Sequence, residues 1–142
     1  MARVGHEIGR SGSVTVSQEQ IARFADVTRD GQEIHLDSKA ARDAGFAGPV
    51  AHGFLTLSLL SAFAYDAVPR VEGQTASVNY GFDRVRFITP VVTGDEIAAR
   101  FILEGVEERA DGSLMLVLDV AVSIPGSDAP VLSALWRILI LF

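Results

Sequence analysis

Residues 54–65 read Phe54-Leu55-Thr56-Leu57-Ser58-Leu59-Leu60-Ser61-Ala62-Phe63-Ala64-Tyr65, and this stretch decides the fold. It carries no charge and is apolar on nearly every side, which predicts a helix buried all round. Such a helix must be wrapped by other parts of the chain, and the residues downstream supply the wrapper. From Ser113 to Ile124, Leu114, Leu116, Leu118, Val120, Val122 and Ile124 recur at every second position. Ile97, Ala99, Phe101 and Leu103 do the same, as do Leu132, Ala134, Trp136, Ile138 and Ile140 within Pro130 to Phe142. A repeat of two marks strands with one buried face. In Thr75 to Phe87 the apolar face runs through Val78, Tyr80 and Phe82, then slips to Val85 and Phe87. That slip predicts a bulge or sharp bend between Gly81 and Asp83. Asp111-Gly112, between two alternating runs, predicts a hairpin turn. Four long strands and a short N-terminal one around a buried helix predict an α+β fold with an antiparallel sheet. The open edges of such a sheet favour pairing into a dimer.

Upstream of residue 54 the chain reads as helices and loops. Ser17 and Gln20 have the form of a capping box. Ile21, Phe24, Ala25 and Thr28 continue as the stripe of an amphipathic helix. Asp37 or Ser38 is placed to cap a second, short helix ending at Gly45.

The composition limits the function. The 142 residues amount to one domain, taken as residues 1–142, with 49% hydrophobic and 21% charged residues. A net charge of −6 argues against nucleic acid as a partner. The absence of cysteine removes thiolate nucleophiles and cysteine-zinc sites. The uncharged run from Ala44 to Tyr65 is broken by Gly45, Gly48, Pro49, His52 and Gly53, so no membrane span is expected. The N-terminal residues lack the apolar core of a signal peptide, and a cytoplasmic location is the default.

Chemistry concentrates in Thr28-Arg29-Asp30-Gly31-Gln32-Glu33-Ile34-His35-Leu36-Asp37, which joins a histidine to three carboxylates. On a helix Asp30 and His35 would point about 140° apart, and on a strand they would stand roughly 16 Å apart. They converge only if the chain curls between them, as Gly31 permits; otherwise the segment is a solvated loop with Asp30 as a turn residue. The second feature is Gly48-Pro49-Val50-Ala51-His52-Gly53, leading into the apolar helix. A glycine there presents a backbone N–H to a developing oxyanion. The competing reading is that Gly53 serves close packing and His52 caps the helix. Asp37 reads as a cap, and the three scattered histidines do not have the spacing of a metal site.

Taken together, Phe24-Ala25, Asp30, Ile34-His35-Leu36-Asp37, Ala41, Gly45-Phe46 and Val50-Ala51-His52-Gly53 resemble the MaoC-like hydratases. These are (R)-specific enoyl-CoA hydratases and 3-hydroxyacyl-thioester dehydratases of the hot-dog fold. Asn79-Tyr80-Gly81-Phe82-Asp83-Arg84-Val85-Arg86-Phe87, Pro90-Val91, Gly94-Asp95-Glu96 and Leu55-Thr56-Leu57-Ser58-Leu59 are similar to the nodulation-protein-N branch. The resemblance covers about Ser17 to Arg100.

It implies that Asp30 and His35 hold a water, that the Gly53 N–H binds the thioester oxygen, and that Ser61 lines the pocket. It further implies hydration of a trans-2-enoyl thioester, or the reverse, on an acyl-CoA or acyl-carrier-protein substrate. No cofactor is expected beyond the coenzyme A of the substrate, and the protein is expected to be a homodimer or higher homo-oligomer. Gln32 is counted with the substrate-binding residues. Arg84 and Arg86, two apart on a strand, are the expected phosphate contacts, with Arg70 behind them; the alternative for the pair is surface pairing with Asp83, Asp95 or Glu96. Phe54, Leu57 and Phe63 are possible tunnel linings.

The chain departs from the usual pattern at Arg29, where the family has glycine, and at Gln32-Glu33, where it has Asn-Pro. Glu33 adds charge beside the pair only if it points inward. A thioesterase and a non-catalytic acyl-thioester binder or dehydratase subunit are the alternative functions.

Overall fold

The computed structural model describes residues 3–127 and 129–142. Two short strands, β1 (His6–Arg10) and β2 (Val14–Thr15), precede three helices, α1 (Gln18–Thr28), α2 (Glu33–Leu36) and α3 (Ser38–Asp43). The apolar stretch follows as α4 (Gly53–Ser58) and α5 (Leu60–Ala67), and the long strands β3 (Ala76–Phe87), β4 (Glu96–Glu108), β5 (Leu114–Ser123) and β6 (Pro130–Leu141) complete the chain.

The sheet runs β1-β4-β5-β6-β3, with β2 also on β4, and every pairing is antiparallel. The period-2 residues of β4, β5 and β6 form its buried face, from Ile97 and Phe101 through Leu118 and Val120 to Trp136 and Ile140. The β4–β5 hairpin turns at Asp111 and Gly112 as expected, closed by Arg109 N–H to the Ser113 carbonyl. Hydrogen bonds from the Ser113 hydroxyl and N–H hold the Asp111 carboxyl below its ordinary range.

The expected slip in β3 is present, but a second one precedes it at Tyr80 and overturns the single face read through Val78, Tyr80 and Phe82. Val78 lies opposite Leu139 and Phe82 opposite Trp136, on the other side of the sheet. Register shifts fall between Asn79 and Gly81 and again between Phe82 and Arg84. They set Phe82, Val85 and Phe87 opposite the core residues Trp136, Ala134 and Leu132, and Phe82 stacks on Trp136 with centroids 5.8 Å apart. Paired side chains share a face, so the same register turns Arg84 and Arg86, opposite Leu135 and Ser133, away from the helix.

The apolar helix differs from expectation in two ways. It is interrupted at Leu59, whose backbone stays right-handed at φ −70° and ψ −13°. Beside the break, the Ser58 hydroxyl donates to the Phe54 carbonyl at 2.6 Å, a back-bond that bends helices. Nor is the helix buried all round: Leu55, Leu60, Phe63 and Ala64 pack on the sheet, while Phe54 and Tyr65 are 66% and 76% exposed. A single sheet covers one side of a helix, and the other apolar side is left open within one chain. Two N-terminal strands stand where one is expected, and β1 runs so close to the end of α5 that a Cβ at Gly9 would collide with the Ala67 carbonyl. No helix among the described residues is long and apolar enough to cross a membrane.

The N-terminal helices follow their signals. Ser17 and Gln20 make both bonds of the capping box, and the Asp37 carboxylate caps α3 through the Ala40 N–H at 2.7 Å. Ile21 and Ala25 bury the inner face of α1.

Candidate active site

The curl between Asp30 and His35 has two parts. Helix α1 ends at Arg29, which takes the left-handed conformation at φ 60° and ψ 25°. It is the one non-glycine residue with positive φ among those described, and it stands where the resembling family has glycine. The curl therefore hangs on Arg29, whereas Gly31 has no positive φ. The chain then makes one helical turn, α2, with His35 N–H bonded to the Gln32 carbonyl and Asp37 N–H to the Glu33 carbonyl. This turn folds His35 inward, where it is buried, and leaves Gln32 and Glu33 exposed. Gln32 thus faces solvent in the isolated chain, and Glu33 does not enter the site.

Residues 49–51 hold the other side. The Val50 N–H donates to the Ile34 carbonyl and the Ala51 N–H to the Val91 carbonyl, so the strap before α4 is pinned between α2 and the loop before β4. Its Val50 carbonyl lies 2.7 Å from His35 Nδ1. A carbonyl oxygen only accepts, so Nδ1 carries a proton and donates it.

His52 is the residue that sequence reasoning missed. It is the N-cap residue of α4, but its side chain makes no bond to the helix. Its ring is 2% exposed and stacks on His35 with centroids 3.7 Å apart, and Phe24 lies on it at 5.0 Å. Its Nε2 donates to the Asp30 backbone carbonyl at 2.9 Å and stands 4.0 Å from the Asp30 carboxylate. The carboxylate itself is 51% exposed. Asp30, His35 and His52 thus bring ligand-type atoms within 4.8 Å of one another, which the spacing of scattered histidines did not foretell. The geometry suits hydrogen bonding better than metal ligation. His52 Nε2 is engaged, and two stacked rings inclined by 23° do not aim their in-plane lone pairs at one point about 2.0–2.1 Å from both nitrogens.

Gly53 follows His52 directly and begins α4. The ring of Phe87 lies over it, and an added Cβ would come within 2.9 Å of that ring. Close packing and an N–H at a helix start are both features of this position.

The other expected residues lie elsewhere. Ser61 is in α5, on the wall of a cavity of about 550 Å³ between α5, β3 and β6, with Tyr65, Val78, Trp136 and Ile138. Arg70 lines the same cavity and donates to the Gln74 carbonyl at 3.0 Å. Phe54, Leu57 and Phe63 do not line it, because Phe63 is packed into the core and Phe54 is exposed. Arg84 faces the outer side of the sheet, 3.8 Å from Asp119, and Arg86 bonds the Val85 carbonyl. Within one chain neither arginine joins Asp30 and His35; Asp83 pairs instead with Arg137.

Comparison with known proteins gives this arrangement a family. A family model described as MaoC like domain matches residues 1–123. Nodulation protein N of Rhizobium leguminosarum bv. viciae is 44% identical over 142 residues, covering 99% of this chain and 88% of that protein. The 3-hydroxyacyl-thioester dehydratase Z of Mycobacterium tuberculosis (strain ATCC 25618 / H37Rv) is 37% identical over 129 residues, covering 91% of this chain and 85% of the relative. The (R)-hydratase from A. caviae involved in PHA biosynthesis shares the fold, with a TM-score of 0.77 at 24% identity over 96% of each chain. With the antiparallel sheet, the helix laid across it and the match over most of its length, the chain belongs to the MaoC-like dehydratase family and has its hot-dog fold.

Proposed function

We propose that the protein adds water to a trans-2-enoyl thioester to give the (R)-3-hydroxyacyl thioester, or runs the reverse dehydration. The observation that carries this reading is the convergence of the Asp30 carboxylate and His35 at His52, the residue before Gly53, from positions that no regular helix or strand would bring together. The unprotonated Nε2 of His35 and the carboxylate of Asp30 accept the two hydrogens of one water. As its oxygen bonds to the β-carbon, the π electrons shift toward the thioester oxygen and one proton passes to the pair. The Gly53 N–H donates to that oxygen where negative charge develops. The pair then delivers the proton to the α-carbon, and the elements of water are added without a cofactor.

The cavity beside Ser61 suits the acyl chain, since apolar walls with a few polar groups are typical of such sites. Arg84, with Asp119 beside it, is the weaker of the two expected phosphate contacts. The free edge of β3 carries the exposed Tyr80 and Phe82, and its Ser77 and Asn79 line the cavity beside the exposed Tyr65 of the helix. A second copy pairing along that edge would cover both, so the working form is a homodimer.

Chiral analysis of the product from short- and medium-chain trans-2-enoyl-CoA tests the reading. The (R)-3-hydroxyacyl-CoA is expected. An (S) product would overturn the stereochemical assignment, and release of free thiol would make the protein a thioesterase.

A further inference from the structure

From the position of His52 we infer that it is a positioning residue: it fixes the Asp30 loop and the plane of His35 relative to the Gly53 N–H without touching the substrate. The inference rests on the hydratase reading and adds to it a residue that the water chemistry does not use. Asp30 sits on an exposed curl, and its carbonyl is tied to the rest of the molecule by His52 Nε2 across 22 residues of sequence. The same ring covers one face of His35, whose other anchor is the Val50 carbonyl. The backbone of His52 meanwhile starts the helix, its carbonyl accepting from the N–H groups of Leu55 and Thr56. One buried residue thus holds base, carboxylate and oxyanion donor in register. Among the described residues His52 Nδ1 has no partner, so a phenyl ring in its place forfeits only the bond that Nε2 makes.

His52→Phe keeps the stack and removes the donor, while His52→Gln keeps a donor at the same reach and removes the ring. For enoyl-CoA hydration, His52→Phe should lower kcat roughly 10- to 100-fold, as loss of about 1 Å of positioning does. KM should stay within about threefold, the pattern of a lost transition-state arrangement. His52→Gln should recover about tenfold of the loss. Amide hydrogen exchange gives a second readout that needs no turnover. In His52→Phe the amides of Asp30 to Gln32 should exchange at least about tenfold faster while those of β5 are unchanged.

A His52→Phe enzyme with kcat within about twofold of wild type overturns the inference. So does unchanged exchange in the loop, or exchange rising equally in β5, which would signal general loosening. If the wild type turns over no enoyl thioester, the hydratase reading fails and the exchange data alone decide the positioning claim. Should His52→Phe not fold, His52→Gln and His52→Met replace it, matched in length and differing in the donor: protection kept in Gln and lost in Met supports the inference, and equal behaviour overturns it.

Discussion

Phe87 of β3 lies across Gly53 of α4 so closely that a Cβ on Gly53 would stand 2.9 Å from its ring. The contact joins the sheet to the start of the helix at the point where the proposed oxyanion donor sits. Phe54 extends it, edge-on to Phe87 at 5.9 Å. Gly53→Ala must therefore push an aromatic ring aside. Because Phe87 is half exposed, the cost should be at the low end of overpacking, about 1 kcal/mol in chemical denaturation. The moved N–H should lower kcat about tenfold or more. Adding Phe87→Leu should return most of the stability; if it does not, the clash is not what the methyl group costs.

Arg29 gives a prediction of the opposite sign. An L-residue in the left-handed conformation costs about 1–2 kcal/mol, and glycine there loses about 0.5–1 kcal/mol in chain entropy. Arg29→Gly should accordingly raise unfolding stability by roughly 0.5–1 kcal/mol. A urea titration that finds the same or a lower midpoint would show that the side chain of Arg29 has a compensating contact.

Ser61 tests the cavity. Ser61→Leu fills space between α5 and Trp136. It should raise KM more for longer enoyl chains than for the shortest, by about tenfold per lost well-packed contact worth 1.4 kcal/mol. Equal effects at every chain length would place the acyl group elsewhere.

Much of the fold was legible because burial writes a period into strands. The faces of β4, β5 and β6 can be read from Ile97, Leu118 and Trp136 outward, and Val85 falling out of step with Phe82 announced the second bulge of β3, while the first, at Tyr80, left no break in the alternation. The helix was legible as apolar, but apolarity does not say who covers it, and Phe54 and Tyr65 lie open in the single chain. The site was half legible. Asp30 and His35 stand out as polar groups in an apolar setting, yet their meeting depends on a left-handed Arg29 and a single helical turn, and neither leaves a periodic signal. His52 was hidden for a plainer reason: its partners are a backbone carbonyl and the face of another ring. Arg84 and Arg86 show the reverse, a correct same-face reading on the side of the sheet away from the helix.

The central claim is that Asp30 and His35 add water to an enoyl thioester. The most direct test is the ultraviolet absorbance of crotonyl-CoA on mixing with the wild type, Asp30→Asn and His35→Ala, with free thiol followed in parallel. The wild type should bleach the conjugated-enoyl band without releasing thiol, and each variant should slow it by at least about 100-fold, as loss of a general base does. Bleaching that survives in both variants, or a wild type inert toward crotonyl-CoA and longer enoyl thioesters alike, would contradict it.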